Sequence, residues 1–135
     1  MTQSEALVAF VEGALSVDEL RRALSPDVRF SESEDGSLSV EYSTARRYPH
    51  VTFSREQVAA MLDRVISGEI SLDEVSQWAN HMTLLDFFDL TRSDDDPDCV
   101  WEVLSRLAHP EQSGADETWK LRNLRDMLAD RGVDP

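Results

Sequence analysis

The sequence predicts a mainly α fold, a small helical bundle of five or six helices with one β-hairpin at about residues 28–42. Three observations support this prediction. Apolar residues recur at helical spacing along most of the chain, Ser-x-x-Glu or Ser-x-x-Gln helix starts recur, and an Asp-Gly pair separates two alternating stretches. Because 135 residues with 41% hydrophobic residues suit one core, we expect a single domain over residues 1–135.

Two short helices are expected at the N-terminus. The first covers about residues 4–12 and carries Leu7, Phe10 and Val11 on one side. The second opens at Ser16 and is closed by Pro26.

A hairpin and a short extended piece follow these helices. Apolar residues alternate with polar ones on both sides of the Asp-Gly pair, at Val28, Phe30, Leu38, Val40 and Tyr42. An isolated hairpin is only marginally stable in water, so one face of this hairpin is expected to pack on helices. After the surface link at residues 43–50, residues 51–53 are expected to be extended.

Two long helices form the centre of the chain. Ser54 opens the first, whose buried stripe ends before Gly68 and consists of Val58, Met61, Leu62, Val65 and Ile66. Ser71 opens the second, with an inner face of Val75, Trp78, Ala79 and Met82. The apolar spacing blurs after Met82, so the end of this helix is not predicted.

The C-terminal third predicts two more helices. Pro97 suits a first helical position with Asp96 as its cap, and His109 followed by Pro110 ends that helix. The last helix covers about residues 116–130, with Gly132 as its C-cap. Tryptophan lies on three predicted helices: Trp78 and Trp101 are expected in the core, whereas Trp119 suits a core or an interface equally.

One phrase occurs twice, as GALSVDEL at residues 13–20 and GEISLDEV at residues 68–75. A glycine closes a helix in the left-handed conformation, and Ser-x-x-Glu opens the next one. An acidic pair in the first turn also suits the positive end of the helix dipole. Since neither copy has the alternating oxygen ligands of a calcium loop, we interpret both as corners between helices rather than as binding sites.

The net charge of −14 is unevenly distributed. Residues 66–102 contain ten acidic residues and one arginine, which leaves −9 in this segment. Such charge repels nucleic acid phosphates and anionic membranes, so a basic protein partner is expected, with no nucleic acid and no membrane. A solvated surface without a partner is the alternative.

Other functional classes have weaker support. Glycines are too dispersed for a nucleotide-binding loop, so no cofactor is expected. The aspartates of residues 93–99 could collect a divalent cation, but they lack a ligand pattern and suit a helix start better. Cys99 or a serine beside one of the three histidines could form a nucleophile and base, yet no catalytic signature accompanies them, so no enzyme is expected. Without a 20-residue apolar run or a secretory signal, we expect a cytoplasmic protein.

The helix REQVAAMLDRVISG and the following corner GEISLDEVSQWA, within about residues 48–109, resemble small acidic bacterial proteins of the self-protective, colicin-like immunity type. Chains of this kind also resemble uncharacterised actinobacterial proteins. The resemblance implies a stoichiometric inhibitor that masks a cationic toxin, commonly a nuclease, with carboxylates in place of phosphates. Under this hypothesis the partner-binding residues are Glu69, Asp73, Glu74, Trp78, Asp86, Asp89, Asp94, Asp95 and Asp96.

A second hypothesis belongs to a different class. A small helical adaptor or regulatory subunit would bind its partner through an apolar groove between helices. It predicts an exposed apolar patch around residues 84–90 and association that is insensitive to salt, whereas an acidic inhibitor predicts strong salt dependence.

Overall fold

The computed structural model describes residues 2–25, 28–34, 38–42, 50–85, 87–94, 96–109 and 118–129. These residues include six helices: α1 (Gln3–Val11), α2 (Val17–Leu24), α3 (Arg55–Ile66), α4 (Leu72–Leu84), α5 (Pro97–Ala108) and α6 (Thr118–Ala129). They also include four strands: β1 (Val28–Glu32), β2 (Leu38–Tyr42), β3 (Val51–Phe53) and β4 (Phe88–Leu90). The mainly α prediction is confirmed, whereas Pro26 and Gly132, proposed as helix stops, lie outside the described residues.

The predicted hairpin is confirmed. Strands β1 and β2 pair antiparallel, with Val28 opposite Tyr42 and Phe30 opposite Val40. The ring of Phe30 lies 5.6 Å from the ring of His81 in α4, and the guanidinium of Arg21 in α2 lies 4.9 Å above the Phe30 ring. One face of the hairpin therefore packs on two helices, as the marginal stability of an isolated hairpin requires.

A second strand pair was not predicted. Residues 51–53 form β3, which pairs in parallel with β4, and Val51 lies opposite Phe88. The N–H of Thr91 extends the ladder by donating to the carbonyl of Phe53 at 2.9 Å. Because α3 and α4 lie between the two strands in the chain, this pairing is a tertiary contact that local alternation does not reveal.

The apolar stretch after α4 belongs to the core. Leu85, Phe87 and Phe88 are each at most 3% exposed, and the ring of Phe88 stacks on that of Phe10 at 5.8 Å. The expectation of an exposed patch around residues 84–90 is therefore wrong. Among the described residues, Val8 is the one large hydrophobic side chain that is exposed.

Helices α4 and α5 run antiparallel. The hydroxyl of Ser76, near the start of α4, donates to the carbonyl of Ala108 at the end of α5 at 3.2 Å. Trp78 on α4 is 3% exposed, which confirms its place in the core. Trp101 on α5 is half-buried and meets Phe53 edge to face at 5.5 Å, while the side chain of Trp119 lies outside the described residues.

Candidate functional site

Both copies of the repeated phrase form the same backbone turn. Gly13 and Gly68 have φ angles of +76° and +85°, in the left-handed region that favours glycine. The N–H of Ala14 donates to the carbonyl of Ala9 at 2.8 Å, and the N–H of Glu69 donates to that of Arg64 at 2.9 Å. These six-residue closures are Schellman motifs, so each glycine ends a helix as predicted.

Both copies then open a helix with a reciprocal cap. The N–H of Glu19 donates to the hydroxyl of Ser16, and the N–H of Ser16 donates to the Glu19 carboxylate, both at 3.1 Å. The same pair of 3.1 Å bonds joins Ser71 and Glu74. Hydrogen bonds from the backbone and side chain of Ser16 lower the pKa of Glu19, so this carboxylate remains ionised well below neutral pH. The interpretation of both copies as helix corners is confirmed.

The fold brings the two corners together. The guanidinium of Arg64, at the end of α3, donates from Nη1 to the carbonyl of Gly13 at 3.2 Å and pairs through Nε with the carboxylate of Glu69. The indole N–H of Trp78 in turn donates to the carbonyl of Phe10 at 2.9 Å. Both bonds attach the end of α1 to the α3–α4 corner.

A cavity of about 260 Å³ separates the two corners. Its polar lining includes Asp18, Arg64, Glu74 and Gln77, one or more from each corner. Its apolar lining comes from Phe10, Leu15, Val17, Met61, Ile70 and Trp78. The cavity therefore combines an apolar wall with carboxylates at the starts of α2 and α4.

Exposed acidic side chains surround this cavity on both corners. We call them the corner surface: Glu12, Asp18, Glu19, Glu69, Asp73 and Glu74, all of which are exposed. Arg64 lies between the two corners, and its charge is already paired with Glu69. After the hydrogen bonds from Ser16, Arg22, further along α2, is near enough to Glu19 to lower the pKa of that carboxyl as well. The two corners thus combine their carboxylates into one negative surface that neither corner forms alone.

Four of the predicted site residues lie at the corners, namely Glu69, Asp73, Glu74 and Trp78. Asp73 accepts a hydrogen bond from the side-chain amide of Gln77 at 3.0 Å, one turn further along α4. Trp78 is buried beneath the cavity, so it supports the surface from below and offers little area to a partner.

The remaining predicted residues lie elsewhere. Asp89 on β4 pairs with His50 at 2.9 Å, and Asp96 caps α5 by accepting from the N–H of Cys99 at 3.3 Å. Because α4 and α5 are antiparallel, these residues lie at the opposite end of α4 from the corners, about 20 Å away for a helix of this length. Asp86 and Asp95 lie outside the described residues. The seven predicted residues that the structure describes are therefore divided between two ends of the molecule.

Asp94 has a structural environment that the sequence did not indicate. Its carboxylate is 2% exposed and accepts two hydrogen bonds from Arg55, at 2.8 and 3.1 Å. Arg55 also donates to the carbonyls of Asp96 and Leu128, at 3.0 and 2.8 Å. Asp94 thus belongs to an internal ion pair that joins α3, α6 and the start of α5. This corrects its expected place on an exposed acidic surface.

The corner surface includes three acids that sequence reasoning did not assign to the site, Glu12, Asp18 and Glu19. Asp18 and Glu19 lie in the N-terminal copy of the repeated phrase and Glu12 directly precedes it, all outside the acidic segment of residues 66–102. The repeat itself was the available signal. Both copies carry an Asp-Glu pair in the first turn of a helix, so a contact between the corners brings two such pairs to one surface.

Cys99 and His81, two of the residues considered for catalysis, are engaged in other contacts. The thiol of Cys99 donates to the carbonyl of Met127 at 3.4 Å, and burial raises its pKa, which disfavours the reactive thiolate. His81 is 1% exposed and bonds the carbonyl of Gln77 through Nδ1 at 2.8 Å. In the described part of the chain, no group of three or more His, Cys, Asp or Glu side chains is placed to hold a metal ion.

None of the helices in the described ranges has the length and apolar character needed to cross a bilayer. Comparison of the chain with protein-family models, curated proteins and solved structures finds no match. The resemblance to immunity proteins therefore stays a prediction.

Proposed function

We propose that this chain is an acidic protein-binding module that inhibits a basic protein, in the manner of an immunity protein, by covering a cationic surface. The corner surface supplies the carboxylates, which occupy positions where a nuclease-like partner would bind phosphates. The partner is thus a protein with clustered lysine and arginine side chains. The corner surface replaces the wider set of nine residues as the centre of the interface.

One observation carries this proposal: the fold joins two acidic helix starts around a single cavity. The contact between Arg64 and Gly13 holds the corners together, and the cavity is lined by Asp18 from α2 and Glu74 from α4. A partner that approaches this end of the molecule meets carboxylates on a preformed framework of helix ends. Preformed charge lowers the ordering cost of association and raises its rate.

The apolar alternative loses the docking residues that the sequence predicted for it. Leu85, Phe87 and Phe88, which were its expected docking residues, are in the core. An adaptor that docks through these side chains would have to unfold this part of the molecule. The acidic surface is therefore the better basis for a partner hypothesis.

The test begins with capture of binding proteins on the immobilised chain at low salt, elution at high salt and identification by mass. The captured basic protein is then purified, and its dissociation constant is measured against two double variants. Asp18→Lys with Asp73→Lys reverses charge on the corner surface. Asp89→Lys with Asp98→Lys makes the same charge change at the other end of the molecule and serves as the control.

We expect the corner variant to weaken binding at least tenfold and the control variant to change it by less than about threefold. Charge pairs in direct contact contribute more to binding than distant charges, which salt screens. Binding should also weaken as salt rises. A partner without excess positive charge, or equal losses in both variants, would contradict the proposal. So would binding that is insensitive to both salt and charge reversal.

A further inference from the structure

We propose that the corner cavity receives an arginine side chain of the basic partner. This inference rests on the proposed function, because it names the group that the acidic surface recognises. The cavity lies between the two copies of the repeated phrase, beneath the exposed carboxylates of the corner surface. The interface would then have one buried anchor surrounded by screened charge pairs, an arrangement typical of tight protein complexes.

The size of the cavity favours a side chain over a free metabolite. Small-molecule sites commonly have volumes of roughly 300–1,000 Å³. The corner cavity, at about 260 Å³, is below that range and open to solvent at the corners. A long side chain attached to a partner protein can fill such a space, since its backbone remains outside.

The lining matches both parts of an arginine side chain. Leu15, Val17 and Ile70 provide apolar contacts for the methylene groups, as amphipathic side chains require. Asp18 and Glu74 provide carboxylates for the guanidinium. Arginine suits this position better than lysine, because its planar guanidinium is less strongly hydrated and can bond two carboxylates at once.

The charges of the cavity favour a cation despite the presence of Arg64. The guanidinium of Arg64 pairs with the Glu69 carboxylate and donates to the carbonyl of Gly13. Its positive charge is therefore already balanced by a carboxylate of the same chain.

The Asp18 carboxylate is exposed and has no hydrogen bond or ion pair with any residue that the structure describes. Arg22, one turn further along α2, is exposed and its charge reaches Glu19. An incoming guanidinium would add the direct ion-pair partner that Asp18 lacks among the described residues.

The experiment uses the full chain with N-acetyl-L-arginine amide as the probe and reads out the indole N–H signals of the tryptophans by NMR. The indole of Trp78 lines the cavity, whereas Trp101 lies at the opposite end of α4 and serves as an internal reference. N-acetyl-L-citrulline amide, a neutral probe of nearly the same shape, tests whether charge is required. A Trp78→Phe variant assigns the signal.

We expect a saturable shift of the Trp78 signal with the arginine probe, with an affinity in the millimolar range, and little shift of the Trp101 signal. Asp18→Asn should weaken this binding roughly three- to fivefold. Asp98→Asn is the matched control, because Asp98 is also an exposed aspartate in the first turn of a helix. It should leave the binding unchanged.

The proposal is overturned if Trp78 does not respond, if citrulline and arginine probes bind equally, or if both aspartate variants behave alike. Partner binding is measured separately. If the captured partner still depends on Asp18 and Asp73 while the arginine probe leaves Trp78 unaffected, the arginine anchor fails and the proposed function remains. If the partner does not depend on these residues, the proposed function fails as well.

Discussion

The guanidinium of Arg64 donates to the carbonyl oxygen of Gly13, 51 residues earlier in the chain, across 3.2 Å and so joins the two helix corners. The two corners have the same sequence pattern, the same turn and the same cap, yet nothing local requires them to meet. Their contact places the starts of α2 and α4 on one side of the molecule. The acidic surface and the cavity both result from this contact.

Substituting each of the two glycines should separate two contributions to stability: the left-handed turn, which both glycines share, and the contact between the corners, which involves Gly13. A Cβ added at Gly68 would meet no atom within 4 Å. Gly68→Ala should therefore lower the free energy of unfolding by about 1 kcal/mol through its positive φ angle alone. Gly13→Ala has the same backbone cost, and its new Cβ would lie 2.3 Å from Nη1 of Arg64 and 2.6 Å from Sδ of Met61. Since both side chains must move, we expect a loss of about 2 kcal/mol. Denaturant unfolding measures both, and equal losses would argue against the corner contact.

The serine caps should contribute equally at both corners. Ser16→Ala and Ser71→Ala each remove a hydroxyl that accepts from a backbone N–H, and we expect each to cost about 1 kcal/mol. Ser105→Ala, at an exposed position inside α5, is the control and should be neutral or slightly stabilising. A cap variant as stable as this control would show that the serine hydroxyl contributes nothing at that corner.

The internal ion pair should be sensitive to the loss of one charge. Asp94→Asn leaves the guanidinium of Arg55, which is 2% exposed, without a carboxylate partner. We expect the free energy of unfolding to fall by about 3 kcal/mol. Asp89→Asn removes an exposed partner of His50 and should cost less than about 1 kcal/mol. Similar losses in the two variants would mean that the Arg55–Asp94 pair is not buried in solution.

Stability should fall below pH 6.5 because of His81. Burial lowers the pKa of this imidazole from its ordinary value of 6.5, and the nearby charge of Arg21 lowers it further, while the Gln77 carbonyl and Glu32 oppose the shift. The unfolded chain therefore binds the proton at a higher pH than the native protein does. Stability is complete above about pH 6.5 and is lost as the pH falls, by at most about 1.4 kcal/mol per pH unit.

The geometry of His81 explains the expected loss. Its Nδ1 bonds the Gln77 carbonyl, and its Nε2 accepts from Nε of Arg21 at 3.3 Å, a bond that protonation removes. Denaturant unfolding at pH 8.0, 6.5 and 5.5 measures the effect, with His81→Gln as the test variant and the exposed His109→Gln as the control. Only His81→Gln should flatten the pH profile. A profile that both variants leave intact would assign the pH dependence to another group.

Local patterns in the sequence were sufficient for the helices, their caps and the hairpin. The helix ends depend on residues within about five positions of one another: the Ser16 cap with Glu19, the Schellman turn at Gly68, and Pro97 after its cap Asp96. The hairpin pairs residues at most 14 positions apart. The physical causes are hydrogen bonds and dihedral preferences that a short peptide already contains. The acidic character of residues 66–102 was likewise evident from composition.

Tertiary packing decided the arrangement of these elements and therefore the candidate site. Asp94 is buried because Arg55, 39 positions earlier, lies beside it, and residues 88–90 form a strand because β3 is next to them. Asp18 joins the acidic surface because Arg64 bonds Gly13. Such contacts depend on how apolar faces exclude water together, a property of the whole chain that no short window contains. Capping rules thus account for each corner alone, and only the folded core accounts for their meeting.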